Sequence, residues 1–496
     1  MRTLIKRIQR RIGEAAFVAA GLVSALVALA PHDANALPAF ARQTGQNCVA
    51  CHAGGQFPEL TPYGRMFKMT GYTIGARTVP LSVMGLVSYS KVKDTSKSDD
   101  PPADFQKNGA PLFASGSLFI AGKVTDNIGA FVQVTYDNYA GQTVDGKFQG
   151  HSNADNMDFR YADRFVDSNR DLIVGVSVNN NPSVSDPWNT AAAWMQYVPV
   201  PSPTSSRFID GTAPYPGYGT GGNTMGISAY AYLNKMVYAE LGGYQTANRG
   251  WSFMSAGVND ANTQKLKGLN PYWRLALTHE WGAHNIMVGT SGMVADIYDS
   301  NTLDPTVLTS RFKDMGIDAQ YQYILAPHTV TVQAAYMRNK VSYSANQANQ
   351  PAPGDFVDAL GNPLPNTNAS DTTNIFRAKL TYVYQTKYGG SLGYFNRTGT
   401  TNTLNQTSGI DPATMIITST DPLATNLSTR VGGNLSGNPA TRGWTYEAFW
   451  TPVQYIRIGA QYTSYSKYNG ASTNYDGLGR DAKDNNTLFL YVWGAY

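Results

Sequence analysis

From about residue 80 onward, apolar and polar side chains alternate with a period of two in stretches of roughly ten residues. This is the signature of strands with one apolar and one polar face. Trp444, Tyr446, Ala448 and Trp450 share one face of such a stretch. In the next, Ile456, Ile458, Ala460 and Tyr462 oppose Arg457, Gly459 and Gln461. Phe376, Ala378, Leu380 and Tyr382 likewise oppose Arg377, Lys379 and Thr381, and Trp273, Leu275 and Leu277 oppose Arg274, Ala276 and Thr278. A soluble sandwich alternates too, but hides its apolar face inside. Aromatic residues at the strand ends point instead to lipid interfaces.

The links between stretches come in two kinds. Short ones fall near 125–127, 167–170, 233–235, 281–284, 325–328, 385–389 and 451–454. Long polar ones fall near 93–112, 139–156, 180–222, 247–269, 298–311, 344–372, 399–440 and 467–484. Seven short links alternating with eight long ones predict sixteen strands, provided 184–199 is loop. Bacterial outer-membrane barrels have an even strand number, short periplasmic turns and long external loops. The expected fold is therefore all-β, a sixteen-stranded antiparallel transmembrane β-barrel over 80–496. The third long link carries Trp188, Trp194, Met195 and Tyr197. Either it folds into the lumen, or it is exposed and touches a neighbour.

Composition agrees, with 31 Tyr, 8 Trp, 48 Gly and only 15% charged residues. The stretch 488–496 ends on an aromatic, resembling the insertion signature of outer-membrane proteins. At the other end stand Arg2, Lys6, Arg7, Arg10 and Arg11, an apolar run over 15–30 and the small-residue site Ala34-Asn35-Ala36. That order predicts a secretory signal peptide over 1–36, because the run is shorter than the ~20 residues of a spanning helix. Residues 1–36 hold five basic and two acidic side chains, so the remainder carries a net charge of +1 rather than +4. Nothing in that balance suggests nucleic acid.

Between the leader and the first strand lies a different segment, 37–79. It contains both cysteines of the chain, as Cys48-Val49-Ala50-Cys51-His52. Two thiols three positions apart with an adjacent imidazole form the attachment motif of a c-type haem, histidine being the axial ligand. The competing reading is a disulfide or redox Cys-x-x-Cys pair. Thr61-Pro62 predicts an N-cap with proline at the first helical position, and a short helix through Met69 ending at Gly71. At about 43 residues the segment is too small to bury a good core alone. Sixteen strands ~4.8 Å apart and tilted ~40° enclose a lumen of about 20 Å between side chains. A compact unit of this size is about 24 Å across, so the small α/irregular haem segment either plugs the lumen with little clearance or hangs below it in the periplasm; electron transfer from an external donor favours the plug.

Pro38-Ala39-Phe40-Ala41-Arg42-Gln43-Thr44-Gly45, the haem motif, and Pro58-x-Leu60-Thr61-Pro62-x-Gly64-Arg65-x-Phe67-Lys68-x-x-Gly71-Tyr72 are similar to a known pattern. The stretch resembles the fused outer-membrane monohaem cytochrome–porin of iron-oxidising bacteria. The resemblance covers about 35 residues; over the barrel it is architectural, and 53–57 matches nothing in it. It implies one c-type haem, extracellular Fe(II) as electron donor, and a periplasmic c-type cytochrome or blue-copper protein as acceptor. Cys48 and Cys51 carry over as the covalent haem attachments and His52 as the axial ligand. The expected function is an outer-membrane Fe(II)-oxidising oxidoreductase that works by outer-sphere electron transfer. The alternatives are a diffusion porin with a haem plug or sensor, and a conduit for another extracellular donor or acceptor.

The sixth iron ligand is open. Met66, slightly ahead of Met69, offers a thioether, although both suit a core role. His151, His279, His284 and His328 belong to links or strand ends. Arg42, Arg65 and Lys68 are candidate propionate partners, with surface charge as the alternative. Phe40, Phe57, Phe67 and Tyr72 are expected to pack on the ring. Asp94, Asp99, Asp100 and Asp104 could attract Fe(II) in an external loop, although such runs are commonly just solvated.

Overall fold

In the computed structural model, sixteen antiparallel strands close into one barrel. The structure describes residues 39–55, 59–93, 111–142, 148–188, 223–255, 265–300, 302–350, 366–403, 434–476 and 479–496. The expected signal peptide, Phe57 and the acidic run at 94–104 lie outside these, as do Trp194, Met195 and Tyr197. The first eight strands are β1 (Leu81–Val92), β2 (Pro111–Lys123), β3 (Ile128–Gln142), β4 (Phe148–Val166), β5 (Asp171–Asn179), β6 (Thr224–Leu233), β7 (Val237–Thr246) and β8 (Asn270–Trp281). The other eight are β9 (His284–Tyr298), β10 (Thr309–Leu325), β11 (His328–Ser342), β12 (Ser370–Tyr384), β13 (Tyr388–Gly399), β14 (Thr441–Val453), β15 (Ile456–Lys467) and β16 (Thr487–Ala495). Each pairs with its sequence neighbours, and β16 returns to β1 with Met84 opposite Ala495 and Val92 opposite Thr487.

All seven short links fall where the alternation stops. One long link differs: 139–156 is mostly strand, because β3 runs to Gln142 and β4 begins at Phe148. β4 is 19 residues long rather than about ten. Its first half, with His151, Asn153, Asp155 and Asn156, is polar on both faces. Register shifts opposite Val132–Val134 and Asp137–Gly141 also interrupt the two-residue period, as bulges do.

Facing is as the alternation predicts. Leu275, Leu277, Met315, Ile317, Trp444, Tyr446 and Trp450 are exposed on the outer surface. Arg274, Asp314, Thr445 and Gln461 are buried inside. Phe165, Trp281, Tyr384, Tyr388 and Trp450 ring the short-turn end, and Phe113, Tyr136, Phe376 and Trp444 ring the other. On β12, eight residues separate Phe376 from Tyr384. At ~3.4 Å per residue and ~40° tilt that is about 21 Å across, close to the ~25 Å apolar band of barrels set in lipid.

The N-terminal segment lies inside the barrel, in the half nearest the short turns. It comprises α1 (Ala39–Thr44), the one-turn α2 (Cys48–Cys51), a 3-10 turn (Ala53–Gly55) and α3 (Pro62–Met69). Thr61 caps α3 by accepting from the Gly64 amide at 3.1 Å, and Gly71 ends it with φ +74°. Phe40, Phe67 and Tyr72 make its small internal core, with Phe40 stacked on Tyr72 at 5.2 Å and Phe67 edge-on at 4.9 Å. The wall supplies the remainder. Met69 packs with Trp188, Tyr230, Tyr238, Ala276 and Met287, and Met66 borders the same cluster. Burying one such side chain is worth about 1.5–3 kcal/mol, which a segment of this size needs from outside itself.

Candidate functional site

The candidate haem-attachment residues Cys48, Cys51 and His52 occupy the turn between α1 and α3. Cys48 and Cys51 are the first and last residues of α2, and the His52 amide donates to the Cys48 carbonyl at 2.8 Å. The chain then doubles back. Ala53 N donates to Glu59 O at 2.8 Å, Thr61 N to Cys51 O at 2.9 Å, and Thr61 Oγ1 to Ala50 O at 2.5 Å. His52 and Leu60 form the bridge between these hydrogen bonds. The turn is thus clamped to the start of α3.

Gly64 makes that clamp possible. A Cβ there would lie 2.2 Å from the Cys51 carbonyl oxygen, a backbone atom that cannot swing aside. Gly64→Ala is therefore expected to push α3 off the Cys48–His52 turn and cost about 1–3 kcal/mol. The melting temperature of the detergent-purified protein and protease cleavage within 45–60 would register it.

Burial pushes the Cys51 thiol up to about 11, with Cys48 adding to it, and burial raises Cys48 as well. Redox-active Cys-x-x-Cys pairs have a thiol shifted the other way. No disulfide joins Cys48 to Cys51 in the structure. Burial holds the His52 imidazole down to about 4, with Glu59 opposing, so it is a neutral nitrogen donor at ordinary pH. Burial works against the ionisation of Glu59, yet Lys379 and Arg457 keep its carboxyl below the usual range. Two neutral thiols on one helical turn beside a neutral imidazole match in number and kind what covalent attachment and axial ligation of a c-type haem use.

The other candidates have protein partners. Arg42 donates to the carbonyls of Val79 and Leu81. Arg65 donates to Leu60 O at 2.7 Å, Gln322 Oε1 at 3.1 Å and Asn285 Oδ1 at 2.9 Å. Lys68 donates to Asp186 O at 3.0 Å, and burial draws its ammonium down to about 8, with Arg160 adding to the shift. These cations dock the plug to the wall and to the third long link. Met69 is buried among the wall aromatics, and the Met66 sulfur lies 3.6 Å from Arg164 Nη1. His279 and His284 stack on Trp281, and His328 stacks on Tyr382, at the short-turn rim.

Docking residues that sequence reasoning did not pair with the plug complete the picture. Tyr72 donates to Asp158 Oδ2 at 2.6 Å, Tyr230 to Met69 O at 2.7 Å, and Lys379 to Glu59 Oε1 at 2.8 Å. Gln43 holds the Tyr72 and Ile74 carbonyls and accepts from the Lys123 amide. The third long link opens with α4 (Pro182–Ser185) and then turns inward. Asp186 faces Arg274, whose guanidinium grips Asp318 at 2.7 and 2.8 Å and lies 5.5 Å from the Trp188 ring centre. Trp188 is 2% exposed, so this part of the link does fold into the lumen. The sequence signal for the wall partners was a charge on the strand face opposite the aromatics, as at Arg274, Lys379 and Arg457.

No protein-family model and no curated protein matches the chain. Among solved structures it is similar to in-vitro folded OmpT, an outer membrane protein of Vibrio cholerae, with 10% identity, a TM-score of 0.39, and 84% of this chain and 97% of that one covered. Salmonella typhi OmpF in complex with daunomycin gives 8% identity and a TM-score of 0.43, with 84% and 97% covered. The outer membrane channel DcaP of Acinetobacter baumannii gives 11% identity and a TM-score of 0.37, with 84% and 96% covered.

Proposed function

We propose that this chain is an outer-membrane cytochrome that takes single electrons from extracellular Fe(II) and delivers them to a periplasmic carrier. The observation carrying this reading is the placement of Cys48, Cys51 and His52 within a plug inside a membrane-type barrel. The carrier is expected to be a c-type cytochrome or a blue-copper protein. A c-type haem held by the two thiols and His52 would supply a one-electron couple. The chain's own part is positional. Thr61 and Gly64 fix the haem turn against α3, Arg65 and Lys68 anchor α3, and Glu59 reaches Lys379 on the wall. In this reading Fe(II) donates from outside, and Fe(III) stays outside.

Peroxidase staining of the denatured protein for covalent haem, followed by stopped-flow reduction of oxidised whole cells with Fe(II), tests the proposal. A haem spectrum that Fe(II) leaves unchanged at the working pH of the host overturns it. The second reading is a diffusion channel whose plug carries the haem; it draws on the sixteen-strand closure and inward third link that pores of this size share. Bilayer conductance separates the two. The plug meets the wall and the third link in buried contact, so the purified protein is expected to conduct far less than an open sixteen-stranded pore. Conductance equal to an open pore favours the second reading.

A further inference from the structure

The outer face of β10 and β11 changes character towards the long links. On β10, Ile317 and Met315 are 61% and 60% exposed, among the most open apolar side chains of the wall. The next two residues on that face are Lys313 and Arg311, both exposed. On β11, Val332 and Tyr336 face outward and are followed by Arg338 and Lys340, again exposed. The alternation itself is unbroken, because Phe312, Asp314, Asn339 and Val341 between these cations are buried inside. The four basic side chains therefore point away from the lumen, just past the aromatic ring to which Phe376 belongs.

Strand register crowds these charges. Lys313 lies directly opposite Lys340, and Arg338 opposite Met315. Directly opposed Cβ atoms are ~5 Å apart and diagonal ones ~7–8 Å, and like charges so placed repel. Arg311 is opposed by Asp296 of β9 and donates to both its oxygens, at 2.8 and 2.9 Å. The remaining neighbours are uncharged: Val294 beside Lys313, Thr372 beside Lys340, and Asn374 beside Arg338. Lys313, Arg338 and Lys340 have no ion-pair partner among the described residues. Arg338 and Lys340 stand two and four residues beyond Tyr336. At ~3.4 Å per residue and ~40° tilt they lie about 5 and 10 Å past that ring. The polar headgroup layer next to the hydrocarbon is about 5–8 Å thick.

We propose that Lys313, Arg338 and Lys340 bind the phosphorylated headgroup of a lipid in the leaflet at the long-link end. That end faces outside in barrels of the bacterial outer membrane. A phosphate takes parallel hydrogen bonds from an arginine fork and point-charge contacts from lysines. Its negative charge offsets the repulsion between Lys313 and Lys340. The acyl chains lie along Met315, Ile317 and Tyr336, directly below the cations on the same strands. A free anion has no use for that apolar strip, and a polypeptide would have to enter the headgroup layer to reach Arg338. The observations therefore favour an amphiphile, and the site is independent of the plug.

The test uses the full-length protein in neutral detergent and reads its melting midpoint by heat-modifiable gel mobility. The probes are lipid A, a phosphorylated glycolipid, then its dephosphorylated form, and inorganic phosphate. Lipid A is expected to raise the wild-type midpoint, and the other two to leave it unchanged. For Lys313→Gln/Lys340→Gln the lipid A concentration giving half the shift should rise about 25-fold, roughly fivefold for each cation lost near a charged lipid surface. Without lipid this variant should melt no lower than wild type, since an opposed pair of like charges has gone; a purely structural role would lower it. Lys235→Gln/Lys387→Gln, exposed at the short-turn end, should keep the wild-type response. If the first double variant fails to fold, Arg338→Gln alone, expected to lose about fivefold, decides. Equal lipid A responses of wild type and Lys313→Gln/Lys340→Gln overturn the site. So does a wild-type response to inorganic phosphate or to dephosphorylated lipid that matches lipid A. A wild type that ignores lipid A overturns it too, and leaves the cations to a polypeptide partner.

Discussion

Cys51→Ser is expected to give a normally assembled barrel that has lost covalent haem and with it the reduction of cells by Fe(II). The barrel wall is held by strand ladders that close on themselves through β16 and β1, and none of those hydrogen bonds passes through residue 51. Serine keeps the size and the backbone of α2, so the clamp from Thr61 and Glu59 can persist. What disappears is one of the two thiols that the attachment motif requires, so on the functional reading above no haem is joined to the chain. In-gel peroxidase staining should fall to background or near it, while heat-modifiable mobility stays that of the wild type. Fe(II)-dependent reduction at the wild-type rate in this variant would show that the haem turn is not the electron path.

Arg274→Met should have the largest effect on stability. The guanidinium is fully buried between Asp186, on the third link, and Asp318, on β10, and packs near Trp188. Removing one member of a buried ion pair costs about 3–5 kcal/mol, because the partner charge is stranded. Here two carboxylates lose the same counter-charge. The cheapest relief is for the third link to leave, taking Asp186 away from Asp318 and exposing Trp188. The expected results are a lower midpoint of heat-modifiable unfolding, protease cleavage near 182–188, and raised bilayer conductance. Asp318→Asn, which keeps hydrogen bonding to Arg274 and the volume, should lose clearly less. An equal midpoint for Arg274→Met and wild type would remove this pair from the forces holding the link inside.

The strand count and the facing of side chains were legible because lipid outside and water inside impose opposite demands on neighbouring residues. Trp444, Tyr446 and Trp450 could only face one way. The same logic failed at β4, whose first half carries Asn153, Asp155 and Asn156 and faces no hydrocarbon that would demand alternation. In the plug, the N-cap at Thr61, the helix and its stop at Gly71 were readable from local chemistry. The docking pairs were not. Tyr72 with Asp158, Glu59 with Lys379, and Arg65 with Gln322 are 86, 320 and 257 positions apart. Alternation shows that Asp158 and Lys379 face the lumen but carries no information on which plug residue each will meet. For the same reason Arg65 and Lys68 looked available to a ligand, while in the fold they are anchors.

The seam between β16 and β1 sets an order of events in biogenesis. Residues 48–52 lie within the cylinder, on a segment joined directly to β1 through 73–80. On the functional reading above, an attachment enzyme must work on these residues while the chain is still open. On that reading the thioethers are made before the last strand meets the first. The insertion machinery would then receive a client already carrying its pigment, and a delay in haem supply would show up as a backlog of unsealed barrels in the periplasm.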